Sequence, residues 1–360
     1  METQHTEHTK DHPIFTGTVY LLYGFDMGDD INLEKIEQSN QLHVITQPLP
    51  GYLKSYHKPL TVSLPSHEGG IHCLHVNIHH FGPVSLVYQV PFKGTLNALR
   101  DKLSDLDHQC QKQSVHDAHY IFKKIKPYIA QPTFYHQNNS YLVVHINPQP
   151  NLVSTKSLRA HYGSMIASIL RFEKETISPF QIDDILESAT GYYREDMVII
   201  DTEASFVYDK EPEELLSFFE FSMIQQLELR YFDKILDQKL DAVYHRALKK
   251  PSLGNCLPFI SLIKDPLSEL SNLKVDISVI TERLDNSIKT VGEAYYSEVY
   301  DLLVEKLAIK SWQQSVAKKL EIIRDVRTIH QNLVDAIRED MLSVLIIILI
   351  FIELVVGLLK

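Results

Sequence analysis

An α+β fold, with a mixed and mostly antiparallel sheet ahead of a helical stalk and a C-terminal transmembrane helix, is predicted by three features of the sequence. Strand-like runs between Ile14 and Asp209 come in clusters and not in strict βαβ alternation, which favours antiparallel pairing. Beyond Pro212 nearly every stretch repeats its apolar residues at three- and four-residue steps. The segment Met341–Leu359 is apolar except for Ser343 and Glu353. As a helix it spans about 28 Å, close to the roughly 30 Å hydrocarbon thickness of a bilayer.

The elements follow from local chemistry. Phe15 to Phe25 is rich in β-branched and aromatic residues and predicts a strand, after which Asp29-Asp30 are expected to cap a short helix through Ile36. Leu60–Leu64, Ile71–Phe81 and Val84–Val90 alternate. Gly82-Pro83 between the last two is a turn signal, so they are expected to form a hairpin. Gly94-Thr95 opens a helix with Leu96, Leu99 and Leu103 on one face, and Tyr141–Ile146 is another strand. Helical spacing returns from Leu158 to Phe172. Ser178-Pro179-Phe180-Gln181 then combines a capping serine, a first-turn proline and a glutamine three positions after the cap. Asp196–Asp209 is expected to be two short strands around Thr202-Glu203.

In the helical part, Leu229, Phe232, Leu236, Leu240 and Val243 form an apolar stripe, which Lys249-Lys250-Pro251-Ser252-Leu253-Gly254 interrupts. Leu270, Leu273, Ile277, Ile280 and Leu284 form a heptad-like seam, as do Ile322, Val326, Ile329, Leu333 and Ala336. These seams suggest an antiparallel helical hairpin or an oligomeric coiled coil. The second helix carries no proline or glycine from Trp312 into the anchor, so stalk and membrane helix are expected to be one rod. The expected organisation is a disordered tail over residues 1–13, an α+β cytoplasmic domain over 14–210, a helical or coiled-coil region over 211–340 and an anchor over 341–359.

The net charge of -11 argues against a general nucleic-acid binder, which needs a basic face to displace phosphate counterions, and no sequence-specific nucleic-acid binding is expected. Three cysteines, Cys73, Cys110 and Cys256, are widely spaced and form no CxxC pair, which suits a reducing compartment. The N-terminus lacks the apolar core of a signal peptide, and it carries Glu2, Glu7 and Asp11 without an arginine, unlike a mitochondrial presequence. The simplest topology therefore leaves the bulk of the chain on the cytoplasmic side of a bacterial inner membrane. The mitochondrial inner membrane is the alternative.

No phosphate loop, GxGxxG or GxSxG motif is present, and no catalytic residue and no cofactor are expected. The weak metal candidates are Cys73, His75 and His79, which with Asn77 share one face of a regular strand. Neighbours on one strand face stand about 7 Å apart, so a tetrahedral site needs ligands from a second strand. The competing expectation is an amphipathic strand whose polar side is rich in histidine. Asp233, Asp237 and Asp241 stack at four-residue steps with Arg230 one turn earlier; a solvated face with an Arg–Asp pair is favoured over a Mg²⁺ ladder. Glu353, flanked by Ile352 and Leu354, costs on the order of a few kcal/mol in lipid unless protonated, hydrated near the interface or paired with another membrane helix.

Several segments resemble the Required for Meiotic Nuclear Division family, a domain of unknown function. Tyr192-Tyr-Arg-Glu-Asp-Met-Val-Ile-Ile-Asp-Thr-Glu-Ala-Ser-Phe-Val-Tyr-Asp209 is similar to its signature, departing at Thr202, where many members carry Trp. Leu227-Glu228-Leu229-Arg230-Tyr231-Phe232-Asp233, followed by Leu236-Asp237, is similar to its next helix. Tyr296, Tyr300, Trp312, Ser315-Val316, Lys319-Leu320 and the ending Ile346 to Glu353 resemble its stalk and anchor. The resemblance implies a membrane protein; eukaryotic members include mitochondrial inner-membrane proteins that support organellar translation. It supplies no catalytic residue.

The expected function is a membrane-anchored, non-enzymatic scaffold or tether. Its expected partners are the lipid bilayer, further copies of the chain through stalk and anchor, and a protein or ribosome. The residues expected to matter are Asp201, Glu228, Arg230, Tyr231, Asp233, Asp237, Trp312 and Glu353, with Asp201 and Leu227–Asp237 packing domain against stalk and Arg230 in a structural ion pair. The alternative is a membrane-bound, metal-dependent hydrolase or ligand sensor using the His-rich strand or the Asp ladder.

Overall fold

The computed structural model describes residues 13–46, 58–65, 70–135, 138–149, 154–247 and 294–359. The N-terminal tail through residue 12, the expected linker at 249–254 and the seam at 270–284 lie outside the described residues. The chain divides into two compact units, one of residues 1–228 with 283–310 and one of residues 229–282 with 311–360.

The first unit is built on a mixed sheet. Its strands are β1 (Phe15–Asp26), β3 (His43–Val44), β4 (Leu60–Ser63), β5 (His72–Ile78), β6 (Pro83–Gly94), β8 (Asn139–Ile146), β9 (Met197–Ile200) and β10 (Ala204–Tyr208). Among the described residues the order is β3-β4-β5-β6-β1-β8-β10-β9, antiparallel at each step except β10 with β8. A separate ribbon pairs β2 (Gly28–Ile31) with β7 (Ile129–Pro132). The β5–β6 hairpin turns at Gly82, whose φ of 131° is open to glycine; a Cβ there would lie 2.6 Å from the Gly28 carbonyl oxygen.

The helices are α1 (Leu33–Ser39), α2 (Leu96–Ile125), α3 (Thr155–Leu170) and α4 (Pro179–Glu187), then α5 (Glu213–Ala247), α6 (Ala294–Lys306) and α7 (Ile309–Leu358). Thr95 caps α2 by accepting from the Ala98 amide, and Leu96, Leu99 and Leu103 are buried as their spacing predicts. Ser178 caps α4 with Pro179 in its first turn. The cap of α1 differs from expectation. Asp29 and Asp30 belong to β2, and Asn32 accepts the Lys35 amide at 3.0 Å. Pairing with β7 extends the strand past the two aspartates, so the helix starts later.

The two faces of the sheet are covered differently. Val19, Leu21, Tyr23 and Phe25 join Tyr88, Val144 and Phe206 in a core completed by α2, α3 and α4. The opposite face meets the first half of α5: Tyr141 stacks on Phe219 at 5.7 Å, and a Cβ on Gly24 would lie 2.8 Å from the Met223 sulfur. Gly24 is thus the close approach that lets the helix settle on β1.

In the second unit, Phe232 and Leu236 of α5 and Val316, Leu320 and Ile323 of α7 are buried. Ala308, with φ of 53°, separates α6 from α7. Helix α7 then runs unbroken from Ile309 to Leu358, as the absence of helix breakers predicts.

Candidate functional site

The polar residues singled out by their spacing fall at four places, and the densest is the buried layer between α5 and the sheet. Glu220 sits in the run Phe218-Phe219-Glu220-Phe221, so the helix carries one carboxylate into an aromatic face. Its Oε1 accepts from Asn77 Nδ2 at 2.8 Å and from Ser85 Oγ, and Oε2 accepts from His75 Nε2 at 3.3 Å. Asn77 Oδ1 in turn accepts from Thr61 Oγ1 at 2.7 Å. Burial works against the charge, but His75 and the Ser85 and Asn77 donors outweigh it and hold the carboxyl at about 2. Close by, burial lowers the His79 imidazole to about 4, which keeps it neutral near pH 7.

Cys73 does not join this group. A bulge at Leu74 shifts the β5–β6 register, so that Cys73 faces Tyr88 while His75 faces Val87. Tyr88 belongs to the α2-side core, where Cys73 also packs, whereas His75, Asn77 and Ser85 meet α5. The expectation that Cys73 shares a face with His75 and His79 assumed strict alternation, and one extra residue overturns it. Burial pushes the Cys73 thiol up to about 12. Among the described residues, no three of His, Cys, Asp or Glu stand where they could share a metal ion. Ser85 donates directly to the carboxylate and not to an imidazole, so the Ser–Glu–His trio lacks the order that activates a nucleophile.

Two turns further along α5, Glu228 meets Asp26 at the end of β1. Both residues are 1% exposed. Their side chains are hydrogen-bonded to each other, and Asp26 Oδ1 also accepts the Gly28 amide at 2.9 Å. Burial, with Asp29 adding like charge, pushes Asp26 up to about 6; burial and then Asp26 push Glu228 well above the usual carboxylate range. Glu228 was legible as part of the Leu227–Asp233 segment, but Asp26 was not.

Asp201 is wholly buried and pairs with Arg171 of the α3 C-terminus at 2.6 Å, while its carbonyl accepts from the Tyr141 hydroxyl at 3.0 Å. Burial pushes its carboxyl up, and the Thr202 amide and then Arg171 pull it part of the way back. This ties β9–β10 to the α3 side of the first unit. In the second unit the aspartate ladder is closed by Lys319 of α7, which lies 2.8 Å from Asp233 and 2.6 Å from Asp237, and Ser315 donates to Asp233 at 2.6 Å. Asp233 is largely covered while Asp237 is exposed, so the ladder is only in part the solvated face expected. Tyr231 is buried, Arg230 and Trp312 are half-buried and Glu353 is exposed.

Glu220 and Arg171 escaped the sequence reading, and Lys319 entered it only within a stalk-like segment, without its aspartate partners. For Glu220 a signal existed, since a lone carboxylate within an aromatic run needs buried donors. An open cleft of about 830 Å³ between α3 and α4, lined by Lys156, Arg159, Phe180, Asp183 and Glu187 among others, also had no motif to mark it; it mixes both charge signs and shows no selective chemistry.

No solved structure matches the chain. The chain is 25% identical over 199 residues to the uncharacterized protein MJ0711 of Methanocaldococcus jannaschii, a match covering 55% of this chain and 60% of that protein. The chain therefore spans about 60% of the length of this curated relative. The matched stretch takes in the described strands of the sheet except for the first residue of β1, together with Asp26, Asn77, Ser85 and Asp201, and ends at the first turn of α5. With the model of the family described as uncharacterized protein MJ0711, N-terminal domain, matching residues 16–214, more than half its length, the chain belongs to that family.

Proposed function

We propose that the protein is a membrane-anchored, non-enzymatic scaffold or tether, which recruits or assembles partners at the cytoplasmic membrane. One observation carries the reading. The helical segment Asp335–Leu358 has a mean hydropathy of 3.0, and none of its most apolar stretch is buried. A core helix of a soluble protein passes the same length and composition test but is mostly covered, and a signal sequence passes it near the N-terminus. This helix does neither. A continuous apolar surface of that size is stable in lipid and aggregation-prone in water. The upstream domain supports the same reading, because the Glu220 carboxylate is engaged by His75, Asn77 and Ser85 across the α5–sheet layer.

The test is fractionation of cells making the full chain or a chain lacking residues 341–360. The full chain is expected in a membrane pellet that resists carbonate washing, and the truncated chain in the supernatant. Full-length protein that stays soluble without detergent overturns the proposal. Affinity purification in mild detergent then addresses partners. Ribosomal proteins captured with the full chain support the translation-linked role implied by the resemblance to the Required for Meiotic Nuclear Division family. Self-association through the anchor predicts that Glu353→Leu inserts normally yet gives smaller cross-linked species; unchanged species reject it.

A further inference from the structure

We propose that Asp26 and Glu228 share a proton and form a pH-sensitive latch that fastens α5 to the end of β1. The two carboxyls come from elements 202 positions apart in the chain, numbered 26 and 228, and both are almost wholly covered. Neither makes an ion pair with Lys, Arg or His among the described residues. The further charge that acts on both is Asp29 of β2, which has the same sign. Two carboxylates in contact in a covered site cannot both ionise, so the pair keeps a proton. Deprotonated Asp26 has acceptors only; its Oδ1 is engaged by the Gly28 amide. Its remaining capacity suits a carboxyl O–H from Glu228. Among the described residues the buried Glu228 Oε1 atom has no hydrogen-bond partner, which fits the carbonyl oxygen of a protonated acid better than a carboxylate.

The surroundings hold the pair in place. The Met27 amide donates to the Gly82 carbonyl at 3.2 Å, and the Tyr135 amide donates to the Asp26 carbonyl at 3.0 Å. With the backbone pinned on both sides, the site cannot open towards water without moving α5. Losing the proton leaves two facing negative charges, and the compliant partner is the helix. Glu228 is also the last residue of α5 in the first compact unit, while the helix continues to Ala247. The proton therefore governs how firmly the sheet grips this turn of α5.

The sign follows from the raised carboxyls. Their stabilisation is fully present below the ordinary Asp and Glu range and is lost as pH rises through about 6 for Asp26 and through the raised range of Glu228. Nearby His79, at about 4, and Glu220, at about 2, titrate below this window.

Hydrogen exchange of the full chain in detergent, corrected for intrinsic rates, reads the latch directly. Protection of the Phe221–Tyr231 amides is expected to fall at least about tenfold between pH 5 and pH 8.5, since one pKa unit is a factor of ten. Asp26→Asn and Glu228→Gln are each expected to flatten that dependence while leaving the far-ultraviolet spectrum unchanged. Three outcomes overturn the proposal: pH-independent protection in the wild type, an undiminished slope in whichever variant folds, or restoration of wild-type protection at pH 8.5 by millimolar Mg²⁺ or Ca²⁺. The last would make the pair a cation site.

Discussion

Glu220 and Glu228 stand two turns apart on α5 and face the same sheet, yet their carboxyls are driven in opposite directions. Glu220 is held at about 2, while Glu228 is pushed well above the usual range. Burial alone raises both. Glu220 meets an imidazole, an amide and a hydroxyl, all able to donate, whereas Glu228 meets another acid. A covered carboxylate is thus stabilised or neutralised by what its neighbours can donate, and depth does not decide which. The first arrangement fastens helix to sheet through fixed charge, and the second through a removable proton.

The largest expected effect comes from removing the charged member of the donor-rich site. Glu220→Leu leaves His75, Asn77 and Ser85 facing a hydrocarbon, and denaturant unfolding should show a loss of about 3–5 kcal/mol. Ser85→Ala removes one donor, should cost about 1–3 kcal/mol, and should move the acid-unfolding midpoint upward as Glu220 becomes easier to protonate. The intact site predicts acid sensitivity with a definite order. Stability is lost first as His79, depressed from its ordinary value, takes a proton on the way down to about pH 4, and then as Glu220 does so towards pH 2.

Asp26→Asn should act in the opposite sense, raising stability at pH 8 by about 1–2 kcal/mol and changing it little at pH 5; a net loss at both pH values would break the contrast. The smallest effect belongs to the second unit. Lys319→Met removes the cation from a ladder whose outer member, Asp237, is exposed, and the change should stay within about 1 kcal/mol and shrink in high salt.

Much of the scaffold was legible because local chemistry and tertiary context agree there. Thr95, Ser178 and Pro179 mark helix starts by the hydrogen bonds they make or lack, and Gly82-Pro83 marks the hairpin because the turn takes a φ of 131° at Gly82 that favours glycine. Asp29-Asp30 misled because a strand partner, β7, lies about a hundred residues downstream and claims them first. The same limit hid the roles of Asp26, Arg171 and Lys319, which exist only once distant segments meet. Glu228 stood out by its motif, but its chemistry is set by Asp26, to which no spacing rule connects it. The apolar C-terminal helix was the most legible element, since its hydropathy is written in consecutive residues.

The extra residue at Leu74 carries one more consequence. A thiol and two imidazoles spaced along a regular strand invite stray copper or zinc, and with it oxidation of the sulfur. Here the insertion sends Cys73 to one side of the sheet and His75 to the other. The strand is therefore rich in such donors while dividing them between its two faces.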